Sequence, residues 1–166
     1  MIRLYLVRNG ADEDRDGTRR LTRRARRRFR RVAGAFAHLE EPVQLICAGG
    51  KPHVLETARV LARMLGRSDV VEVEELSSRA GADALLMAVS VHGGGRTASR
   101  SSATAGSSTI LRALGIEEGE IRLRKGSIVR VDVDALPRPR RCIARFRVRA
   151  SATEPADAFL GTRRAS

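Results

Sequence analysis

The chain has 166 residues, of which 42% are hydrophobic and only 3% aromatic, so it is long enough for one domain with a mainly aliphatic core. Its formal net charge is +13, from 32 Lys and Arg against 19 Asp and Glu, and this sign favours polyanionic partners. The composition excludes a membrane-spanning protein, because no apolar run is long enough. The first apolar run, interrupted by Arg3, is also too short for a signal peptide, and we expect a cytoplasmic protein.

The positive charge is almost entirely arginine, since Lys51 and Lys125 are the only lysines. Such a surface is typical of proteins that bind nucleic acid, polyphosphate, phosphoproteins or anionic membranes, but a genome biased toward arginine codons produces it as well. Cys47 and Cys142 both lie in apolar runs, which favours two buried free thiols over a disulfide. Two cysteines alone do not make a zinc site, and we predict neither a metal nor a cofactor.

The first ten residues predict a strand that ends in a polar turn. Apolar residues alternate with polar ones up to Val7, and the run then stops at Arg8-Asn9-Gly10. In an open α/β sheet, ligands bind beyond the carboxyl ends of the strands. Arg8 offers a fork of donors for an oxyanion and Gly10 allows close backbone approach, although such a sequence is also common in ordinary turns.

A basic amphipathic helix follows residues 11–20, which are polar and are predicted to form a loop. Thr22 is suited to cap this helix. Apolar residues at helical spacing form one stripe for packing on a sheet: Leu21, Ala25, Phe29, Val32, Phe36 and Leu39. Arginines fill the other faces: Arg23, Arg24, Arg26, Arg27, Arg28, Arg30 and Arg31. This pattern indicates either a solvated face or a surface for nucleic acid or membrane.

The next segments alternate between strand and helix. Strands are predicted at 43–47 and 70–73, with a helix between them that begins near Pro52 and ends at Gly66, and another helix at 82–91. This alternation implies parallel strands joined by right-handed crossovers. It brings Arg8-Asn9-Gly10 and the turn from Gly49 to His53 to the same sheet edge, where we predict an oxyanion cradle at the start of a helix.

The remainder of the chain, from residue 92, is less regular. Residues 92–108 are rich in Gly, Ser, Thr and Arg and predict a flexible loop. A short helix is expected at 109–114, a strand at 127–133, and a last strand at 142–148 that completes an antiparallel hairpin. We predict a single domain over residues 1–150 and a frayed tail over residues 151–166. The fold class is α/β.

Several strings, in this order, resemble the histidine phosphatase superfamily and, within it, the small SixA-type phosphohistidine phosphatases. Residues 4–10 resemble the first strand leading into Arg-His-Gly, and residues 20–22 the start of the first long helix. Residues 45–58 resemble the second strand and its Ser-Ser-Pro…Arg-Ala…Thr-Ala segment, and Lys125-Gly126 precedes the final hairpin. The resemblance covers roughly residues 1 to 149. It implies a three-layer α/β/α sandwich of phosphoglycerate mutase-like type, with a mostly parallel mixed sheet.

The residues that carry the chemistry of this family differ here. The family's nucleophilic histidine corresponds to Asn9, whose amide is not nucleophilic. The family's second, phosphate-binding arginine corresponds to His53, and a neutral imidazole offers one donor instead of a charged fork. The second histidine has no counterpart and falls near Ser102, counted from Gly115. The phosphate-binding candidates are therefore Arg8, Asn9, Gly10, His53 and Ser102.

We therefore predict a catalytically degenerate phosphatase fold that binds phosphate or another oxyanion, with an acidic protein or polyanion as a further partner. One alternative is an active phosphohistidine or phosphomonoester phosphatase that uses His53 or His92 as a displaced nucleophile. A second alternative is a basic module that binds nucleic acid or polyphosphate. The latter depends on charge alone, because the sequence shows no zinc-finger spacing and no RNA-binding signature.

Overall fold

The computed structural model describes residues 2–41, 43–77, 81–92, 100–103, 107–116, 123–149 and 153–155. The strands within these ranges are β1 (Ile2–Val7), β2 (Asp12–Arg15), β3 (Thr18–Leu21), β4 (Leu45–Ala48), β5 (Val71–Glu72), β6 (Arg100–Ala103), β7 (Ile128–Val133), β8 (Cys142–Val148) and β9 (Thr153–Pro155). The helices are α1 (Arg23–Ala37), α2 (Pro52–Met64), α3 (Ala82–His92) and α4 (Ser107–Ala113), with a 3₁₀ turn at Glu74–Leu76.

Seven of these strands form one mixed sheet in the order β5-β4-β6-β1-β7-β8-β9. The strands β5, β4, β6 and β1 are mutually parallel, whereas β7, β8 and β9 continue the sheet in antiparallel pairing. Parallel strands need helical crossovers, which is why the helices alternate with them along the chain. The predicted α/β class and the C-terminal antiparallel hairpin are both confirmed.

Helices cover both faces of the sheet, which produces three layers. On β1, Leu4 and Leu6 pack in a cluster with residues of α3 and α4. Tyr5 and Val7 point to the opposite face and pack with residues of α1 and α2. Because both faces of β1 are covered, its side chains from Leu4 to Val7 are all at most 2% exposed. None of the helices in the described ranges is both long and apolar enough to cross a bilayer.

The first helix, α1, has the predicted amphipathic character. The Thr22 hydroxyl accepts a hydrogen bond from the Ala25 amide at 3.0 Å and caps the helix. Its buried residues are Ala25, Phe29, Val32, Ala33 and Phe36. Seven exposed arginines form what we call the basic face of α1: Arg23, Arg24, Arg26, Arg27, Arg28, Arg30 and Arg31. Leu39 was wrongly assigned to the apolar stripe; the helix ends at Ala37 and this side chain is 38% exposed.

Residues 11–20 form a hairpin rather than the predicted loop. The strands β2 and β3 pair antiparallel across a turn in which Asp16 and Gly17 both have positive φ angles. An Asp-Gly pair is a strong signal for such a hairpin, and it was present in the sequence. The usual alternation of apolar and polar residues is missing because Leu21 is the only apolar residue among these eight paired residues.

The predicted loop 92–108 contains an interior strand of the sheet. Strand β6 lies between β1 and β4, with Ser102 in register with Tyr5 and Ile46. Its sequence, Arg-Ser-Ser-Ala, has no apolar pattern that would predict a buried strand. The position of β6 between β1 and β4 therefore outweighs the low strand propensity of its sequence. The other residues of that segment, 93–99 and 104–106, lie outside the described part, whereas Ser107 and Ser108 open α4.

The C-terminal hairpin continues beyond the predicted last strand. Strand β9 pairs with β8, with Thr153 opposite Val148. This strand lies within the segment 151–166 that was predicted to be a frayed tail, so the prediction is wrong for residues 153–155. Residues 156–166 lie outside the described part. Cys47 and Cys142 carry thiols and are not joined in a disulfide, as predicted, although only Cys47 is fully buried.

Candidate functional site

The carboxyl end of β1 is tied to the turn that precedes β7. The Arg8 amide donates to the carbonyl of Ser127 at 3.0 Å, and the Gly126 amide donates to the carbonyl of Arg8 at 2.9 Å. Arg8 is exposed, and its Nη1 donates to the Leu123 carbonyl. Asn9 is half-buried, and its side-chain amide donates to the carbonyl of Gly10 at 3.2 Å. Two of the predicted site residues therefore sit at this edge on a fixed backbone.

A hydrogen-bonded link connects this edge to the first turn of α2. The Gly10 amide donates to Thr57 Oγ1 at 3.5 Å, and the Thr57 hydroxyl donates to the carbonyl of His53 at 2.8 Å. The prediction that the two turns converge at one sheet edge is thus confirmed. A Cβ at position 10 would lie 2.9 Å from Leu21 Cδ2 and 3.2 Å from Ala25 Cβ. Gly10 is therefore required for packing against β3 and α1.

His53 is the second residue of α2 and is only 8% exposed. Its Nδ1 is buried and has no hydrogen-bond partner in the described part of the chain. An unsatisfied buried donor or acceptor costs about 1–3 kcal/mol. His53 also borders a cavity of about 600 Å³ beneath the β2–β3 hairpin. The cavity is lined by Asp12, Gly17, Thr18, Arg19, Lys51, Pro52 and His53.

Three of the groups in this region were not predicted from the sequence. The side chain of Asp12 is 5% exposed, and its carboxylate binds Arg19 and, at 3.4 Å, Lys125 Nζ. Burial raises the pKa of the Asp12 carboxyl, but the Arg19 hydrogen bond, the nearby His53 imidazole and Lys125 together hold it below its usual range. Asp12 is therefore a permanent negative charge beside His53. Asp12 and Lys125 are 113 residues apart, so no local pattern could have paired them.

The two glycines after β4 have a packing role. The Gly50 amide donates to the Ser77 hydroxyl, so it is already bound within the protein. A Cβ on Gly49 would lie 2.6 Å from the carbonyl oxygen of Leu76, which explains why this position requires glycine. The Gly50 amide is therefore not available for the predicted oxyanion cradle, which remains a prediction.

Ser102 lies one residue before the carboxyl end of β6, which ends at Ala103. On the parallel neighbour β1, its register partner Tyr5 precedes Asn9 by four residues, which corresponds to about 13 Å along a strand. The carboxyl end of β6 is followed by residues 104–106, outside the described part of the chain. His92 is the exposed last residue of α3, and α3 packs on the face of the sheet opposite α1 and α2. Among the described residues, no three His, Cys, Asp or Glu side chains form a metal-ligand group.

No protein-family model and no curated protein matches the sequence, whereas solved structures match the fold. The protein histidine phosphatase SixA in complex with tungstate superimposes with a TM-score of 0.76 at 12% identity, covering 90% of this chain and 97% of that one. A phosphoserine phosphatase from Entamoeba histolytica, in complex with 3-phosphoglyceric acid, gives a TM-score of 0.59 at 13% identity, covering 96% and 100%. A histidine-to-alanine mutant of that enzyme, in complex with phosphoserine, gives 0.58 with the same identity and coverage.

These matches show that the chain has the phosphoglycerate mutase-like fold of the SixA-type phosphatases. At such low identity the likeness establishes the fold alone, and function has to be argued from the site.

Proposed function

We propose that this protein is a catalytically degenerate histidine phosphatase domain that binds phosphate or a similar oxyanion without phosphohistidine turnover. The observation that carries the proposal is Asn9 at the carboxyl end of β1, the position at which the resemblance implies a nucleophilic histidine. Arg8 beside it and His53 across the Thr57 link supply donors for an anion. The amide of Asn9 donates a hydrogen bond but cannot accept a phosphoryl group.

The chemistry of the neighbouring structures supports an oxyanion as ligand. The related structures hold tungstate, 3-phosphoglyceric acid and phosphoserine, all of which carry a tetrahedral oxyanion or a phosphate group. One of them is a histidine-to-alanine mutant with phosphoserine bound, which supports the idea that binding on this fold survives the loss of a histidine. In this chain Arg19 and Lys51 at the cavity add positive charge. The basic face of α1 extends the proposal to a polyanionic or acidic partner.

Binding of phosphate should be detectable by titration calorimetry at low salt. We expect heat with inorganic phosphate and with phosphohistidine, and a loss of affinity of about tenfold in Arg8→Ala, since a charge-assisted hydrogen bond contributes about 1.5–3 kcal/mol. Arg138→Ala removes the same charge from an exposed position and should change the affinity less than twofold. No heat with any of these ligands would reject the oxyanion site.

Replacing Asp12 by asparagine should increase the affinity for phosphate. The Asp12 carboxylate is buried beside His53 and forms ion pairs with Arg19 and Lys125. An incoming anion is therefore repelled by this carboxylate and competes with it for the two cations. Removing one negative charge at this range should tighten binding by about fivefold to tenfold. Calorimetry of Asp12→Asn measures this, with Asp69→Asn, an exposed aspartate, as the charge-matched control. Unchanged or weaker binding in Asp12→Asn alone would place the anion elsewhere.

A further inference from the structure

The basic face of α1 carries more uncompensated charge than any other helix in the described part of the chain. The helix contains seven arginines and no acidic residue. Within the described residues, Arg26 is the only one of the seven with an ion pair, to Glu56 at 3.3 Å. The first turn contributes the positive end of the helix dipole as well. This part of the surface therefore has a strong positive field that the rest of the described chain does not neutralise.

The arrangement of these arginines is unfavourable for the helix itself. Arg24 and Arg28 are four residues apart, as are Arg23 and Arg27, and like charges at this spacing destabilise a helix by about 0.2–0.5 kcal/mol per pair. The helix is held by its buried stripe, in which Phe29 is 0% exposed. A bound polyanion would relieve the repulsion between the arginines. Binding of such a ligand would thus also raise the free energy of unfolding of the protein.

A groove beside the basic face of α1 could hold a bound anion. A cavity of about 280 Å³ lies between α1 and the turn before β7. Arg24, Arg28 and Lys125 line it as cations, and the buried Ala25 and Phe29 lie among its other lining residues. The cavity lies on the Gly10–Ala11 backbone, but neither Arg8 nor His53 lines it. It is separate from the cavity at His53.

We propose that this basic groove binds a chain of condensed phosphates, inorganic polyphosphate, along Arg24, Arg28 and Arg31. These three residues share one side of the helix at spacings of four and three and span about 10 Å along its axis. Their guanidinium forks suit phosphate oxygens. A condensed phosphate chain carries closely spaced charges on a narrow backbone, which a groove of this size accommodates. The inference rests on the polyanion part of the proposed function. It is independent of the oxyanion site proposed at Arg8, Asn9 and His53.

The basic face offers the other polyanions fewer types of contact. The sequence of α1 contains no Asn, Gln, Ser or Thr, so arginine is the only type of polar side chain on this helix that can contact phosphates or base edges. The rings near the groove cannot stack on bases, since Phe29 and Phe36 are buried. An acidic protein would normally bury apolar surface at the centre of its interface, and the basic face offers only guanidinium groups. The row of arginines beside a narrow groove therefore matches a single chain of closely spaced phosphates better than a duplex or an acidic protein.

The experiment is a calorimetric titration of the full chain with long-chain polyphosphate, compared with pyrophosphate, duplex DNA and poly-aspartate. We expect polyphosphate to bind most tightly. The double variant Arg24→Ala/Arg28→Ala should lower its affinity tenfold or more and reduce the dependence of log K on log salt by about two. Alanine is a strong helix former, so we expect the double variant to fold, and thermal unfolding checks this. Polyphosphate should raise the melting temperature of the unmodified chain.

Arg138→Ala/Arg140→Ala removes the same charge from the exposed β7–β8 turn and should change the affinity less than twofold. An equal loss in this control would overturn the inference, since net charge alone would then explain binding. DNA or poly-aspartate binding as tightly as polyphosphate would overturn it as well. Arg8→Ala separates the two sites: if polyphosphate binding persists while phosphate binding is lost, both proposals hold. If the chain does not bind phosphate but Arg24→Ala/Arg28→Ala still lowers the affinity for polyphosphate, only the oxyanion site proposed at Arg8 and His53 is rejected.

Discussion

Phosphohistidine incubated with this protein should lose its phosphate no faster than in buffer alone. An imidazole ring nitrogen carries the phosphoryl group in the family that the sequence resembles, and the corresponding side chain here is the amide of Asn9. Removal of a catalytic nucleophile costs up to about 10⁶ in kcat in well-studied hydrolases. Binding groups such as Arg8 cannot compensate for that loss. The measurement is phosphate release over time, combined with mass spectrometry of the intact chain to detect any phosphorylated adduct.

The decisive control is His53→Ala, because among the described residues His53 is the histidine closest to the carboxyl end of β1, where Asn9 lies. We expect the unmodified chain and this variant to be equally inactive with phosphohistidine and with a generic phosphomonoester. Turnover in the unmodified chain that disappears in His53→Ala would mean that the imidazole at the start of α2 acts as a displaced nucleophile. The degenerate-enzyme proposal would then be wrong, although phosphate binding would remain.

Replacing Asp132 by alanine should lower the free energy of unfolding by about 3 kcal/mol, the lower end of the range for breaking a buried ion pair. The Asp132 side chain is 5% exposed and accepts hydrogen bonds from Arg130 Nε at 2.8 Å, Arg130 Nη2 at 3.0 Å and Arg145 Nε at 3.0 Å. Arg130 also binds Glu41, which accepts the hydroxyl of the buried Tyr5 at 2.7 Å. Without Asp132 the half-buried Arg130 loses two of these bonds. Urea unfolding measures the change.

Asp69→Ala is the matched control, since the Asp69 side chain is 56% exposed and, among the described residues, forms its ion pair with Arg67. An exposed pair of this kind contributes about 0–1 kcal/mol. A loss of less than about 1 kcal/mol in Asp132→Ala would mean that the network around Arg130 re-forms without it.

The effect of Asp132 should also depend on pH. Burial raises the pKa of this carboxyl, but the hydrogen bonds and charges of Arg130 and Arg145 hold it below its usual range. A carboxyl with a lowered pKa in the folded state stabilises the fold above its unfolded pKa of about 3.9 and loses this contribution as the pH falls through the folded value. The stabilities of the unmodified chain and Asp132→Ala should therefore converge below about pH 4.

Elements with a local apolar pattern could be predicted from the sequence, and they carry the candidate site. The alternation in β1 and the helical stripe from Ala25 to Phe36 depend on neighbours along the chain, since burial follows directly from the period of the element. The position of Asn9 at the end of β1 followed from the same pattern. So did the start of α2 at Pro52, and with it the approach of His53 to the edge at which β1 ends.

Features without such a pattern depended on tertiary structure. Strand β6 has a polar sequence and lies inside the sheet because β1 and β4 flank it. Its existence, and the place of Ser102 one residue before its carboxyl end, could not be predicted from a local pattern. The ion pair between Asp12, which lies beside His53, and Lys125 was likewise hidden, because the two residues are 113 positions apart in the sequence. Local periodicity reveals which face of an element is buried. It contains no information about which distant side chains share a cavity, and at this site the cavity decides which charges an anion would meet.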